Sequence, residues 1–231
     1  MKLPPLSNRL AACRDFIKPG SRVADIGCDH GYLGIHLLMK DIASFVFAAD
    51  INPQPLDSAK KNANKYGVTE KMSFFLSDGA KNIPHDFDTL VCAGMGADTI
   101  ISILDAAPWL KDKKYTLILQ CQSRRPQLRK YLSAQGYRIC KETLAQDGKF
   151  IYPVLEATYA PGELLTPGGC YISPALLKSN SPLLIPFYQR LQDGLITTAE
   201  GLSRTGDDKL EYYKSILNEL QQLEDVIYGN R

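Results

Sequence analysis

The chain has 231 residues, 45% of them apolar, and a net charge of +2. That length holds one full domain and one small one, and the apolar fraction suffices for a buried core. No apolar run approaches the roughly 18 residues of a membrane span and the first residues lack the apolar core of a secretion signal, so a soluble, cytoplasmic protein is expected.

The near-neutral balance names no partner, but the charge is unevenly spread. Between Lys111 and Lys149 ten Lys or Arg stand against Asp112, Glu142 and Asp147, a local +7 that leaves about −5 elsewhere. The six cysteines form no C-x-x-C pair and keep no His-containing ligand spacing. Reduced, buried thiols and no metal are the expectation.

Leu6, Leu10, Cys13, Phe16 and Ile17 recur at helical spacing behind Ser7, a cap candidate, and Pro19-Gly20 ends that helix. Arg22 to Ile26 reads as a strand. It runs into Gly27-Cys28-Asp29-His30-Gly31 and a helix from Tyr32, a strand–turn–helix in which glycines let a ligand approach and helix N–H groups face an anion. The spacing Gly27-x-x-x-Gly31-x-x-Gly34 departs from the G-x-G-x-x-G of a dinucleotide site. Asp25 and Asp29, flanking the turn, would repel a pyrophosphate. They suit a cation, and S-adenosylmethionine offers an ammonium and a sulfonium, with one carboxylate left for the helix start.

Phe45 to Ala49 is a continuous apolar run, as a strand buried on both faces requires, and ends in Asp50, an acceptor for ribose hydroxyls, followed by Ile51. Pro53 and Pro55 open a helix that Gly67 closes. Met72 to Leu76 is a third strand, ending in Ser77-Asp78-Gly79, where an acid can take an adenine amino group. Thr89 to Ala93 is a fourth, ending in Gly94-Met95-Gly96-Ala97. Four consecutive strands thus end in glycine or acid, and in a parallel sheet those ends line one crevice. The cofactor-binding candidates are Asp25, Gly27, Gly31, Asp50, Ile51, Asp78, Gly79, Gly94, Met95 and Gly96.

Asp98 is read as the cap of a helix reaching about Ala106, and Tyr115 to Gln120 as strand five. Ser123 to Leu132 then starts a helix carrying Arg124, Arg125, Arg129 and Lys130, which reads either as a phosphate-holding surface or as a solvated charged face. Tyr137–Thr143 and Phe150–Tyr159 flank Gln146-Asp147-Gly148-Lys149, a strong hairpin signal. Five strand–helix units and a closing hairpin match the Rossmann-like class I methyltransferase sheet, α/β and mostly parallel with its last strand antiparallel. A plain dinucleotide fold would end on a parallel strand.

Pro161-Gly162 and Pro167-Gly168-Gly169 mark a linker, dividing residues 1–162 from 163–231. Beyond it Leu184, Tyr188, Leu191, Leu195, Thr198 and Leu202, and then Leu210, Tyr213, Leu217, Leu220 and Ile227, recur at three and four. This predicts an antiparallel helical hairpin, too small to stand alone, that docks on the first domain or meets a partner.

Leu6-Ser7-Asn8-Arg9-Leu10, Val23 to Leu33, Gly94-Met95-Gly96 and Gly169-Cys170-Tyr171-Ile172-Ser173-Pro174 together resemble the bacterial tRNA (adenine-22, N1)-methyltransferase family. The sequence departs from that pattern at Ala97, where a third glycine is expected, and at Gln120-Cys121-Gln122, where Gln-Pro-Asn is expected. The resemblance implies methyl transfer from S-adenosylmethionine to N1 of an adenine in tRNA; the sequence leaves both a monomer and a weak dimer open. N1 of neutral adenine carries a free lone pair, so no strong general base is needed and positioning dominates. N1 lies on the pairing edge, so the base must be unpaired or turned outward. Asp29, His30 and Tyr32 are the catalytic candidates, stabilising positive charge that develops on the base. Arg9, Gln120, Arg124, Arg125, Arg129 and Lys130 are the substrate-binding candidates. Side chains able to take the exocyclic amino hydrogens are missing after strand four, which argues against N6 chemistry. A methyltransferase on another RNA or a small molecule, a non-catalytic S-adenosylmethionine-binding module, and a nicotinamide-dependent reductase are the rival readings.

Overall fold

The computed structural model describes residues 3–162 and 164–229. The Ser7 hydroxyl accepts from the Leu10 N–H and starts α1 (Asn8–Phe16). β1 (Ser21–Ile26), α2 (Tyr32–Met39), β2 (Ala43–Asp50) and α3 (Pro53–Tyr66) follow. β3 (Met72–Leu76), β4 (Thr89–Met95), α4 (Ala97–Asp105), β5 (Thr116–Cys121) and α5 (Arg125–Ala134) continue the alternation. β6 (Tyr137–Asp147) and β7 (Phe150–Tyr159) then form a hairpin that pairs Asp147 with Phe150 across Gly148-Lys149.

These strands make one seven-stranded sheet in the order β3-β2-β1-β4-β5-β7-β6. β1 to β5 pair in parallel, and β7 runs antiparallel to both β5 and β6. This is the expected Rossmann-like methyltransferase sheet. Successive residues of a strand point to opposite faces. Ala24, Ile26, Leu90, Cys92, Leu117 and Leu119 therefore pack with α4 and α5 on one face. Val23, Val46, Ala48, Val91 and Ile118 pack with α1, α2 and α3 on the other. Both faces are covered, which is why these strands read as unbroken apolar runs.

The C-terminal part contains α6 (Pro174–Leu177), α7 (Leu184–Thr205), α8 (Leu210–Gln221) and α9 (Glu224–Gly229). Tyr188, Leu195, Ile216, Leu220 and Ile227 form its core, which closes over Leu144 and Ile151 of the β6–β7 hairpin. The unit thus docks on the sheet. The joint is polar and buried: Arg129 of α5 pairs with Glu142 of β6, Ser173 donates to the same carboxylate at 2.5 Å, and Arg129 donates to the Cys170 carbonyl at 3.2 Å.

Three readings of the sequence change. The second arm of the hairpin breaks at Gln222–Leu223 into α8 and α9, and the Tyr188 hydroxyl ties α9 back by donating to Glu224 Oε1 at 2.8 Å. The N-cap of α4 is Gly96, not Asp98, which lies inside the first turn and pairs with Arg124 at 2.8 Å. Arg129 is 1% exposed and committed to Glu142, so it braces the joint and does not present a cation to a polyanion. Of the six free cysteines all but Cys140 are buried. Among the described residues no cluster of His, Cys, Asp or Glu is arranged for a metal, and no helix is long and apolar enough to cross a membrane.

Candidate active site

The carboxyl ends of β1 to β5 border two adjoining cavities. One, of about 410 Å³, is lined by Asp50, Ile51, Ser77, Asp78 and Gly79 on one side and by Asp98, Thr99, Ser102 and Ile103 of α4 on the other. The second, of about 320 Å³, is lined by Ser7, Arg9 and Leu10 of α1, by the Asp25–Leu33 turn, and by Gly94, Gln120 and Gln122. Gly27 and Met95 line both. A Cβ on Gly27 would lie 2.3 Å from Met95 Cε, so the Met95 side chain crosses the turn and partitions the crevice. Its flexible thioether can repack when something occupies the gap.

The turn after β1 needs its glycines. Gly27 and Gly31 have φ of 71°, and a Cβ on Gly31 would press on Ala59 at 3.0 Å. Asp29, not a glycine, also adopts a left-handed φ of 50°, with its N–H donating to Asp50 Oδ2 at 3.2 Å. Asp50 Oδ1 accepts from the Asn52 N–H at 2.9 Å, so the carboxylate is fixed by backbone donors while keeping free lone pairs toward the first cavity. Ile51 beside it is 61% exposed and forms an apolar wall of the same cavity. Asp78 faces the same cavity and pairs with Lys81; both are at least half exposed, so the pair is easily opened.

Asp25 is the electrostatic centre. It is 4% exposed, and its Oδ2 has no hydrogen-bond partner among the described residues. Burial, and then the neighbouring Asp50 charge, push its pKa up to about 7, while the Gly34 N–H in the first turn of α2 pulls it down. The group that meets the start of α2 is therefore the chain's own Asp25 carboxyl. A buried acceptor left unpaired costs about 1–3 kcal/mol, and it fits a ligand that brings a cation or donor.

The candidate catalytic groups cluster at the mouth of the second cavity. His30 Nε2 lies 3.7 Å from Asp29 Oδ1, both side chains more than half exposed, and the His30 and Tyr32 ring centroids are 5.8 Å apart. Gly94 sits at a bulge where the β4–β5 register slips between Ala93 and Met95, and its N–H donates to Gln120 Oε1 at 3.0 Å. Gly96 packs against Ser123, where a Cβ would lie 3.0 Å from the hydroxyl oxygen, and Ala97 is fully buried behind it.

A third cavity, of about 450 Å³, opens between α5, the β6–β7 turn and the C-terminal helices. Arg124, Arg125, Arg190, Phe150, Tyr171 and Tyr213 line it, and among the described residues no carboxylate does. Phe150 is 53% exposed. A ladder connects it to the second cavity: the Arg9 guanidinium stands 5.0 Å from the Tyr152 ring, Arg125 5.8 Å from the same ring and 5.8 Å from Phe187. Lys130 is exposed but outside this lining. Phe150, Tyr152, Phe187 and Arg190 carried no local signal in the sequence, because only the docking of distant segments brings them together.

Residues 6–155 match the family model of a methyltransferase domain. Along almost the whole chain the sequence is also similar to the tRNA (adenine(22)-N(1))-methyltransferase of Bacillus subtilis, with 28% identity over 96% of this chain and 97% of that protein. The chain belongs to the methyltransferase-domain family, among the bacterial tRNA (adenine-22, N1)-methyltransferases. A putative tRNA methyltransferase of Mycoplasma pneumoniae is 33% identical over 72% of this chain and 78% of its own length. The crystal structure of a putative tRNA (m1A22) methyltransferase of Streptococcus pneumoniae, in complex with S-adenosyl-L-methionine, superposes with a TM-score of 0.78 at 27% identity, covering 96% of this chain and 100% of that one. The family match covers the sheet and its helices. The full-length similarities extend over the C-terminal unit as well.

Proposed function

We propose that this protein methylates N1 of an adenine in tRNA, adenine-22, using S-adenosylmethionine. The observation that carries the reading is the acid-tipped crevice itself: a buried, unpaired Asp25 oxygen, a backbone-fixed Asp50 and an uncovered Ile51 on adjacent strands, in a chain similar end to end to a tRNA (adenine(22)-N(1))-methyltransferase.

The residues present fit the cofactor. Asp25 would hold its ammonium, Asp50 its ribose hydroxyls, and Asp78 with Gly79 its adenine, with Ile51 and Met95 against the apolar faces of the nucleoside. Bound S-adenosylmethionine supplies an electrophilic methyl group. The chain's task is then to bring an unpaired adenine to the second cavity, where Tyr32, His30 and Asp29 border the space and can face the positive charge that develops on the base. Adenine N1 needs no deprotonation, so the site requires no general base, and Asp25, which lines the second cavity, is left to the cofactor's ammonium.

Residues 1–162 form the chemical domain in this reading, and residues 163–231 a platform for the rest of the tRNA. Arg124, Arg125 and Arg190, with the aromatic rings between them, give the third cavity the charge and stacking surface that an RNA strand needs. The test is to give purified protein labelled S-adenosylmethionine and unmodified tRNA and to digest the product to nucleosides. N1-methyladenosine at position 22 is expected. Label at another base, or none with active cofactor, overturns the reading.

A further inference from the structure

The Gln120 amide has a single permitted orientation. The Gly94 N–H donates to its Oε1 at 3.0 Å, and Arg9 Nη1 donates to the same atom at 3.3 Å. Two donors converge there, so the carbonyl oxygen must occupy that position and the NH2 group the other. Gln120 is 0% exposed and lines the second cavity, yet its Nε2 has no partner among the described residues. A buried amide N–H without an acceptor costs about 1–3 kcal/mol, and a fixed donor at a cavity wall answers to an acceptor that arrives with a ligand.

Arg9 is itself held. Its Nε donates to Asp147 Oδ2 at 2.6 Å, the other Asp147 oxygen accepts from the Asn8 N–H at 3.1 Å, and its guanidinium stands 5.0 Å from the Tyr152 ring. The turn of the β6–β7 hairpin thus clamps α1, and through Arg9 it sets the amide. An arginine so engaged is poorly placed to serve as a phosphate contact.

We propose that Arg9 is a positioning residue that locks Gln120 with its N–H toward the cavity, and that this N–H recognises a ring-nitrogen acceptor of the target adenine. Gln120 lies on β5, two strands from β1 and so about 10 Å from the strand bearing Asp25, which places it on the substrate side of the crevice. N1 must stay free to react, leaving N3 or N7 as the acceptor. This inference rests on the tRNA-methylating reading for the base, but not for the lock.

The experiment is a double-mutant cycle of Arg9→Met and Gln120→Leu, read by tRNA methylation kinetics, S-adenosylmethionine affinity and thermal unfolding. Each single variant is expected to lower kcat by roughly tenfold or more with cofactor affinity within about threefold of wild type, and the double variant to be no worse than the poorer single. Arg9→Lys, which keeps the charge but not the fork, should resemble Arg9→Met. Wild-type protein should lose a similar factor on tRNA carrying 3-deaza- or 7-deazaadenosine at the target, and Gln120→Leu should lose nothing further on that analogue. Additive effects in both kinetics and unfolding overturn the lock. A rise in KM with a flatter salt dependence and unchanged kcat makes Arg9 a phosphate contact instead and also overturns it. Indifference to both deaza analogues, or a loss confined to cofactor affinity, overturns the base assignment. If wild-type protein leaves tRNA unmodified, the base assignment falls with the function, while the unfolding cycle still decides the lock.

Discussion

Asp25 should make both folding and cofactor binding depend on pH, in opposite senses. Its pKa rises from an ordinary 3.8 to about 7 in the folded protein, chiefly through burial and secondarily through Asp50. Between those values the folded chain keeps a proton that the unfolded chain has released, so the contribution of this residue to stability falls as pH rises through that window and is constant above it. At about 1.4 kcal/mol per pH unit the whole effect is about 4 kcal/mol. Asp25→Asn removes the titration, so the difference in unfolding free energy between wild type and variant should slope by up to that amount from pH 4 to 7 and then level off. A ligand ammonium beside the unpaired Oδ2 favours the ionised carboxylate. Binding of S-adenosylmethionine at pH 6 should therefore release about one proton, and its Kd should tighten by up to about tenfold per pH unit until pH 7. Calorimetry in two buffers of different ionisation enthalpy counts the protons, and urea unfolding across the pH range gives the stability difference. Equal pH slopes for wild type and Asp25→Asn, or no proton release at pH 6, would refute the reasoning.

Gly27→Ala must adopt a φ of 71° and meet Met95 at 2.3 Å, so cofactor affinity should fall at least tenfold while the melting temperature drops by a few degrees, checked by titration and calorimetry. Glu142→Gln leaves Arg129 buried without its charge partner and should cost roughly 3–5 kcal/mol in urea unfolding. The paired substitution Arg129→Met with Glu142→Gln should recover part of that loss. Replacing Arg124 and Arg125 together by Ala should weaken tRNA binding and lower the slope of log K against log salt by about one to two, with S-adenosylmethionine affinity unchanged. A salt slope equal to that of wild type would remove both from the RNA surface.

What could be read from the sequence follows from how local each feature is. The strand ends at Asp25, Asp50, Asp78 and Gly94 were legible because a parallel sheet forces consecutive strand ends to one edge whatever else the chain does. The hairpin was legible because Asp147-Gly148 fixes its own turn. The start of α4 lies two residues before the one the sequence suggests, because Asp98 has the chemistry of a cap whereas Gly96 holds the position by virtue of space against Ser123. Arg129 reads like Arg124 and Arg125 in the sequence because spacing along a helix gives a face but not what covers it. Its partner Glu142 is thirteen residues away and the Cys170 carbonyl forty-one.

The two departures from the family pattern acquire a physical meaning from the same geometry. Ala97 stands where the family pattern has a glycine, at a fully buried position next to Gly96 where a methyl group is accommodated. At Gln120-Cys121-Gln122, by contrast, the residue retained from the expected pattern is the one whose amide is pinned by Gly94 and Arg9. The Cys121 backbone continues β5, and Gln122 donates its N–H to the Met95 carbonyl at 2.8 Å, keeping the strand end in register with the partition between the cavities. An asparagine at 122 would make that backbone contact equally well, so the exchange to glutamine only lengthens a side chain at the cavity wall. The exchange keeps an amide at the cavity wall, and Gln122→Asn should leave kcat within about twofold of wild type. A large loss in that variant would move the recognition donor from residue 120 to residue 122.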